Sequence, residues 1–441
     1  MSPPALAEAA LAAMRRVVAE HGLAPRGLIH AGDADPALEA RWRALGFAPV
    51  LFLDPRARPP DALVADARDC NVLLVDLADL RHAMAARALA AFERLDAILT
   101  IAMPPRRLAE IDRALFDRGL VRLAGEDAAP VLVYLRSALI RTPHATGGRG
   151  RAVVTMSHFG HNAGFANQLF QYAFLKLYGL RNNCAVETPP WIGEEVYGVP
   201  GRRIARPLPE YRGDEWSVRD LALWDRDNPP VNVDFWGYYQ NIPARWRPHR
   251  AFVRRLFTPL PPWRAPVERW LAAHRPPGRT LVALHLRRGD YRDYAAAKPW
   301  FRLIPEEWYL QWLAALWPTL ADPVLFIASD DRASVLPRFA AYRPLTAEAL
   351  EAELPEPRLL ADFQILAAAD VLAVCNSSFS RMAAVLAGER QNCFIAAPAA
   401  ESFVPYDPWT ADHFWQRFGA PPATERRRLR LPRWLRKPVA L

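Results

Sequence analysis

The segment from His285 to Tyr291, with the sequence HLRRGDY, carries the strongest chemical signal in the chain. Arg287 and Arg288 follow an apolar run, which places two adjacent guanidinium groups at the end of a predicted buried strand. This placement costs free energy unless an anion meets the charges, and a planar guanidinium group matches two phosphate oxygens at once. A diphosphate is therefore the natural ligand of the pair. The alternative is a structural ion pair with Asp290.

Two further segments place polar groups where predicted strands end. Asn376 to Ser380, with the sequence NSSFS, lies between a strand and a helix, where hydroxyls and free backbone amides suit a phosphate group. Ser329, Asp330 and Asp331 end another strand, where a carboxylate can accept hydrogen bonds from a purine. Taken alone, each segment also fits an ordinary turn or helix cap.

The elements around these segments alternate between short apolar strands and helices. In chain order the pattern predicts a strand from 279 into the arginine segment, a helix over 305–317, a strand over 323–331, a helix over 362–369, a strand over 371–376, a helix over 378–387 and a last strand over 393–398. Such alternation is typical of a doubly wound nucleotide-binding sheet. Ligands of these sheets bind at the carboxyl ends of the strands, where all three polar segments fall.

The first 140 residues show a similar alternation. Strands are predicted over 27–32, 48–55, 71–77, 96–102 and 130–136, and helices over 5–21, 37–45 and 108–117. We expect a parallel α/β layer from this pattern. A linker is predicted over 141–151, followed by a strand over 152–156 and an amphipathic helix opened by Asn167. Residues 182–260 are predicted to be irregular loops that bind an acceptor.

The segments GLIHAGDAD and LFLDP near the amino terminus resemble the start of a methyltransferase of the FkbM type. In that family a glycine-rich turn holds the cofactor and an acidic residue after the second strand binds a ribose. Gly32 and Asp54 match these places, although a solvated strand end is the alternative for Asp54. Because Asp33 to Asp35 replace the second glycine, a degenerate domain without a cofactor is favoured over an active methyltransferase.

Five segments between residues 151 and 410 together resemble the α-1,2-fucosyltransferases of glycosyltransferase family eleven, within the wider GDP-fucose-dependent superfamily. They occur in the family's order: GFANQLFQYA from Gly164, GYYQ from Gly237, the HLRRGDY segment, SDD from Ser329, and NSSFS from Asn376. The resemblance implies a GT-B-like α/β fold with a Rossmann-type donor domain, here preceded by an extra Rossmann-like α/β domain. The expected domains are 1–140, the linker 141–151, an acceptor-side subdomain 152–275, a donor domain 276–418 and a basic tail 419–441.

The resemblance also implies the reaction, which is inverting transfer of L-fucose from GDP-β-L-fucose to a sugar hydroxyl, without a metal ion or other cofactor. The residues implied in catalysis are Arg287, Arg288, Asp290 and Asn167. Those implied in donor binding are His285, Asp330, Asp331, Ser377, Ser378, Phe379 and Ser380, and those implied in acceptor binding are Gln168, Tyr238 and Gln240. The catalytic base stays open among His158, His161, Glu187 and Asp290.

The sequence departs from the family at two places. Ala166 replaces a glycine, and Arg381 and Met382 replace two tryptophans after the serines. The second change removes aromatic surface and adds a cation near the expected donor site, which leaves open a donor sugar or acceptor other than the family's usual pair.

Composition limits the other function classes. The 441 residues suggest two or three domains, and seven of the positive charges behind the net charge of +9 lie within 426–437, so the rest of the chain lacks a basic field for nucleic acid. The tail suits an anionic membrane surface, with a solvated tail as the alternative. Four isolated cysteines and no signal peptide or long apolar run predict a cytoplasmic protein.

The expected partners are thus a GDP-sugar donor and an oligosaccharide or glycolipid acceptor. Two other functions stay open. One is methyl transfer from S-adenosylmethionine through residues 1–140, alone or beside sugar transfer. The other is binding of glycans or nucleotides without catalysis.

Overall fold

A computed structural model describes most of the chain. The described residues are 3–31, 34–53, 69–75, 94–101, 105–123, 131–143, 152–160, 164–212, 223–224, 226, 228–240, 243–294, 301–389 and 391–409. The chain divides into two compact units, Met1–Arg264 and Ala265–Leu441. Both units are built on mainly parallel sheets with helices, which confirms the predicted α/β class with Rossmann-like domains.

The first sheet of unit 1 has six strands in the order β2-β1-β3-β4-β6-β5. Its strands are β1 (Leu28–Ala31), β2 (Val50–Leu53), β3 (Val72–Val75), β4 (Ala97–Ile101), β5 (Leu120–Arg122) and β6 (Val131–Arg136), and its helices are α1 (Pro3–His21), α2 (Pro36–Ala44) and α3 (Pro105–Phe116). The first four strands are parallel, as predicted. The expectation of an all-parallel layer is wrong at one edge, because β6 runs antiparallel to both β4 and β5.

The second sheet of unit 1 has four parallel strands in the order β8-β7-β10-β9. They are β7 (Val153–Thr155), β8 (Ala185–Glu187), β9 (Glu210–Arg212) and β10 (Val233–Trp236). The prediction of irregular loops over 182–260 is therefore wrong, because three of these strands come from that segment. Each of the three contains an acidic residue, and none forms a continuous apolar run.

The helices of this part of unit 1 are α4 (Phe165–Arg181), α5 (Ile192–Tyr197), α6 (Pro243–Trp246), α7 (Arg250–Leu256) and the start of α8 (Pro261–His274). Helix α4 begins two residues before Asn167, with Gly164 as its N-cap. Fifteen of its 17 residues are buried, so the helix is enclosed on all sides. The prediction that this helix is amphipathic is therefore wrong.

The two sheets of unit 1 are joined by polar contacts. The Arg181 guanidinium donates to both carboxylate oxygens of Asp117, each at 2.8 Å. The ring of His249 lies 3.9 Å from that of Phe116, and His249 Nε2 is 2.8 Å from the Phe116 carbonyl oxygen. Residues on either side of the predicted linker therefore belong to one unit. Residues 144–151 lie outside the described residues, so the boundary stays a prediction.

The sheet of unit 2 has the order β12-β11-β13-β14-β15. Its strands are β11 (Thr280–Leu286), β12 (Pro323–Ser329), β13 (Val371–Val374), β14 (Asn392–Ala397) and β15 (Ser402–Pro405), and its helices are α9 (Gly289–Tyr294), α10 (Glu306–Leu316), α11 (Arg332–Val335), α12 (Glu348–Glu351), α13 (Leu360–Ala368) and α14 (Ser378–Leu386). Each predicted strand and helix of this region is present. The strand at 392–397 is not the last, because β15 follows it and pairs antiparallel.

The core of unit 2 lies at the centre of this sheet. Every residue of β11 after Thr280 is buried, which is expected for a parallel strand covered on both faces. No helix in the described part of the chain combines the length and apolar composition needed to cross a bilayer. The basic segment 426–437 lies outside the described residues.

Candidate active site

The predicted donor residues meet at one edge of the unit 2 sheet. Strand β11 pairs with β12 on one side and with β13 on the other, and all three strands are parallel. The chain passes from β11 to β12 and then crosses back to β13, so the connection reverses direction between β11 and β13. Ligands of open α/β sheets bind in the crevice at such a reversal, outside the carboxyl ends of the strands.

The two adjacent arginines after β11 have different environments. The side chain of Arg288 is only 5% exposed and is enclosed by acceptors. It donates to Glu306 Oε1 from Nε at 2.9 Å and from Nη2 at 2.5 Å, and to the carbonyl oxygens of Ile304 and Arg287. Arg287 is 33% exposed, and only this guanidinium of the two can face a ligand.

The alternative prediction, a structural ion pair between the arginines and Asp290, holds for Arg287. Arg287 Nη2 lies 2.8 Å from Asp290 Oδ1, and Nη1 lies 3.1 Å from Asp330 Oδ2. The two carboxylates hold the guanidinium in one orientation from two strand ends. Because Arg287 stays one third exposed, these pairs orient it without enclosing it.

Asp330 is engaged by the arginine loop. Its Oδ1 accepts the backbone N–H of Arg288 at 2.7 Å, while Oδ2 faces Arg287. Gly289 permits this approach, because a Cβ at that position would lie 2.5 Å from Asp330 Oδ2. The contacts favour a positioning role for Asp330. Asp331 caps α11, accepts from the Ser334 N–H and pairs with Arg292 at 2.6 Å.

The Cys375 thiol links the ends of β11 and β13. His285 Nδ1 lies 3.3 Å from Cys375 Sγ, and Ser380 Oγ lies 3.8 Å away. Burial raises the pKa of the Cys375 thiol, so it is held in the neutral form. Burial, together with the charges of Arg287 and Arg288, lowers the pKa of His285 to about 3, so this histidine is neutral at physiological pH.

The serine segment forms the start of α14. Ser377 is the N-cap, and its Oγ accepts the N–H of Phe379 at 3.3 Å. Ser378 and Phe379 are half-buried, whereas Ser377 and Ser380 are buried. The Tyr291 hydroxyl donates to the carbonyl oxygen of Asn376 at 3.2 Å, which connects this segment to α9. The polar amino end of α14 therefore adjoins the arginine loop, as the strand ends predict.

The residues that replace the family's tryptophans are buried in the core. Arg381 is 1% exposed, its Nε donates to the Tyr406 hydroxyl at 3.2 Å, and Met382 is fully buried. Arg381 therefore faces the segment after β15.

A buried carboxylate that the sequence analysis did not single out lies on α13. Asp362 Oδ2 accepts from Arg332 at 3.0 Å, and among the described residues Oδ1 has no hydrogen-bond partner. Burial raises the pKa of Asp362 to about 7, against the opposing charge of Arg332. Its neighbour Phe363 packs on Phe379 with ring centroids 5.2 Å apart, and Phe379 lies 5.2 Å from His285. An acidic residue inside the apolar segment LADFQILAA was the available sequence signal.

The predicted acceptor residues and Asn167, which the resemblance implies in catalysis, form a second group within unit 1. Asn167 Oδ1 accepts from Gln240 Nε2 at 2.7 Å, which joins the start of α4 to the segment after β10. The Gln168 side chain packs over Gly160, whose φ of +77° favours glycine. Tyr238 is half-buried beside Trp236. Two sequence segments that are 73 residues apart are thus in direct contact.

The candidates for the catalytic base differ in their partners. His158 is connected through Ser157 to the buried carboxylate of Asp234. Asp234 Oδ1 accepts from Thr155 Oγ1 at 2.6 Å and from the Ser157 N–H at 2.7 Å, and its Oδ2 accepts from Ser157 Oγ at 2.5 Å. Ser157 Oγ lies 3.3 Å from His158 Nδ1. Glu187 is buried and accepts from the Ala205 N–H at 3.0 Å, and Asp290 is paired with Arg287. His161 lies outside the described residues.

The expected cofactor residues of the amino-terminal domain, Gly32 and Asp54, also lie outside the described residues. Asp35 has a structural task as N-cap of α2, where it accepts from the N–H groups of Ala37 and Leu38. Within the described ranges, no three His, Cys, Asp or Glu side chains are grouped as a metal ligand set.

No protein-family model matches the sequence, and no curated protein is significantly similar to it. Solved structures do match. NodZ α-1,6-fucosyltransferase soaked with GDP-fucose is 15% identical, over 58% of this chain and 99% of that chain, with a TM-score of 0.39. Fucosyltransferase NodZ from Bradyrhizobium is 16% identical, over 59% and 99%, with a TM-score of 0.39. A mutant of Arabidopsis thaliana FUT1 in complex with GDP is 11% identical, over 59% and 75%, with a TM-score of 0.39. All three of these structures are of fucosyltransferases.

Proposed function

We propose that the chain is an inverting fucosyltransferase that transfers L-fucose from GDP-β-L-fucose to a sugar hydroxyl of a surface glycan. The observation that carries this proposal is the position of Arg287. It is a partly exposed guanidinium, oriented by two carboxylates, at the strand reversal next to the amino end of α14. Guanidinium forks and helix amino ends both bind phosphate oxygens. A nucleoside diphosphate provides two phosphate groups for these two elements.

In the reaction the bond between fucose C1 and the diphosphate oxygen breaks, and the bond between C1 and the acceptor oxygen forms. Negative charge grows on the β-phosphate as GDP leaves. Arg287 stabilises that charge without reorganising, because Asp290 and Asp330 already hold it. Arg288 acts as a positioning residue, since its donors are spent on Glu306 and backbone carbonyls. No metal ion is needed for this charge stabilisation.

The nucleoside part of the donor is bound by a second set of residues, which are His285, Phe379 and Asp362. His285 is held neutral, so it adds no second charge, and the half-buried ring of Phe379 lies beside it. Asp362 Oδ1 is an acceptor for N–H groups of the base, because its other oxygen is occupied by Arg332. A guanine edge offers such donors. A bound guanine would offset the free-energy cost of burying the Asp362 carboxylate, because it would donate a hydrogen bond to Oδ1.

His158 is the base that the hydrogen bonds favour. The carboxylate of Asp234 can only accept, so the hydroxyl proton of Ser157 is directed to Asp234. Ser157 Oγ then accepts from His158 Nδ1–H, and in this tautomer Nε2 carries the lone pair. That lone pair takes the proton of the acceptor hydroxyl, while Gln168, Tyr238 and Gln240 bind the acceptor sugar.

The resemblance of the five sequence segments favours an α-1,2 linkage to galactose. It supports an oligosaccharide or a glycolipid as the acceptor. The isolated cysteines favour a cytoplasmic location, and the charge of segment 426–437 favours contact with an anionic membrane. Methyl transfer through residues 1–140 stays a prediction. Asp35, one of the residues in the place of the expected second glycine, is engaged in capping α2.

A thermal-shift panel of nucleotides without Mg²⁺ tests the donor assignment. GDP is expected to raise Tm, whereas UDP, CMP and S-adenosylhomocysteine have little effect. Arg287→Ala should remove most of the GDP shift, and Arg338→Ala, an exposed arginine paired with Glu307, serves as the matched control. Stabilisation by UDP in preference to GDP would overturn the donor assignment.

Transfer of fucose to a galactoside, followed by linkage analysis of the product, tests the reaction. Binding of GDP-fucose with neither transfer nor hydrolysis would identify a silent binding protein. His158→Ala is expected to lower kcat by about 10²-fold or more while GDP affinity stays unchanged. Ser157→Ala should lower kcat less, because it removes only the group that sets the tautomer. A wild-type rate in His158→Ala would assign the base elsewhere.

A further inference from the structure

A cavity of about 490 Å³ lies within unit 1, whereas the candidate donor residues belong to unit 2. It is bordered by the segment after the 3-10 turn Ser137–Leu139, by the end of α5, and by the chain between α7 and α8. All of its lining residues are described, and none of them is acidic. Three are arginines: Arg141, Arg255 and Arg264. The cavity therefore has a positive wall.

Two of these arginines are held in place by the fold. Arg255 donates from Nη2 to the Ala138 carbonyl oxygen at 2.8 Å and from Nη1 to that of Ile140. The Arg141 guanidinium packs on Gly22, whose φ of +67° and missing Cβ make room for it. Carbonyl groups orient a guanidinium but do not neutralise it. Burial and the charge of Arg141 both lower the pKa of Arg255, as expected for neighbouring cations.

A third group points to a ligand in the same cavity. Tyr197, the last residue of α5, lines the cavity and is only 2% exposed. Its hydroxyl has no hydrogen-bond partner among the described residues. Burial raises its pKa, so the hydroxyl is a neutral donor. A buried hydroxyl without a partner is unfavourable, so it would donate a hydrogen bond to a ligand oxygen that enters the cavity beside it.

We propose that this cavity binds a small molecule through an oxyanion, either a phosphate or a carboxylate, held by Arg141 and Arg255 and by the Tyr197 hydroxyl. The remaining lining, which includes Leu260 and several prolines, packs against the body of that ligand. Thr142 and Thr258 add hydroxyls for a polyhydroxylated scaffold. The site does not depend on the proposed fucosyl transfer.

Titration of the full-length protein with inorganic phosphate or with glucuronate, at constant ionic strength and with GDP saturating the donor site, tests the proposal. At least one of the two anions is expected to raise Tm more than chloride does. Arg141→Gln should raise its apparent Kd about tenfold or more, and Tyr197→Phe should raise it several-fold. Arg206→Gln, which removes an exposed arginine outside the cavity lining, should leave the Kd unchanged.

The comparison of phosphate with glucuronate shows which oxyanion the cavity prefers. Two results would overturn the proposal. One is that neither anion stabilises the wild-type protein beyond chloride. The other is that the stabilisation persists unchanged in both Arg141→Gln and Tyr197→Phe, which would place the anion outside this cavity. Tyr197→Phe removes only the hydroxyl and keeps the buried ring, so this variant is expected to fold. It therefore tests the proposal even if Arg141→Gln does not fold.

Discussion

Replacement of each of the two adjacent arginines by alanine should separate stability from ligand binding. Arg288→Ala removes a buried guanidinium that makes two hydrogen bonds to Glu306 and two to backbone carbonyls. Breaking a buried ion pair costs about 3–5 kcal/mol. Because Glu306 is 28% exposed and can be rehydrated, we expect a smaller cost, at or just below the lower limit of this range, of about 2–3 kcal/mol. For a unit of this size the change corresponds to a fall in Tm of roughly 5–10 °C.

Arg287→Ala should have the opposite profile. Its ion pairs with Asp290 and Asp330 are partly exposed, so their loss is expected to cost about 1 kcal/mol or less. The lost charge-assisted bonds to a diphosphate should weaken GDP binding by about 1.5–3 kcal/mol, or roughly 10- to 100-fold in Kd. Urea denaturation measures the first quantity and isothermal titration calorimetry the second. The reasoning would be refuted if Arg287→Ala lost as much stability as Arg288→Ala, or if GDP affinity were unaffected by it.

Three further predictions concern the support of the site. Gly289→Ala should push Asp330 out of its contacts and weaken GDP binding about tenfold by calorimetry, whereas Gly388→Ala, which meets open space, should not. His285 has a folded-state pKa near 3, below its unfolded value, so its contribution to stability is present above about pH 6.5 and lost as pH falls toward 3. The destabilisation by His285→Gln should therefore shrink over that range, and a constant difference would contradict the reasoning. Deletion of residues 1–140 should lower the Tm or solubility of the remainder, because it exposes the surface around His249; an unchanged Tm would show that the two sheets are independent.

Four of the five strands and the helices α10, α13 and α14 of unit 2 could be predicted from sequence because they are strongly patterned, whereas β15 and the short helices α9, α11 and α12 could not. The seven-residue apolar strand β11 and the helices at 306–316 and 378–386 are examples. The order of the site segments also follows from the sequence, since parallel strands bring their carboxyl ends to one edge. The short strands β8, β9 and β10 could not be predicted, because each contains an acidic residue and none forms a continuous apolar run.

The sequence by itself determined the α/β class, the polar segments at the strand ends and the chemistry that their side chains offer. Tertiary structure decided which of the two adjacent arginines is buried. Only packing brings Glu306 and the Ile304 carbonyl to Arg288 and leaves Arg287 partly exposed. It also decided the hydrogen-bond order from Asp234 through Ser157 to His158, since the first two residues are 77 positions apart. Local sequence sets what a side chain can donate or accept. The partners come from distant segments, and only the folded chain brings them within bonding distance.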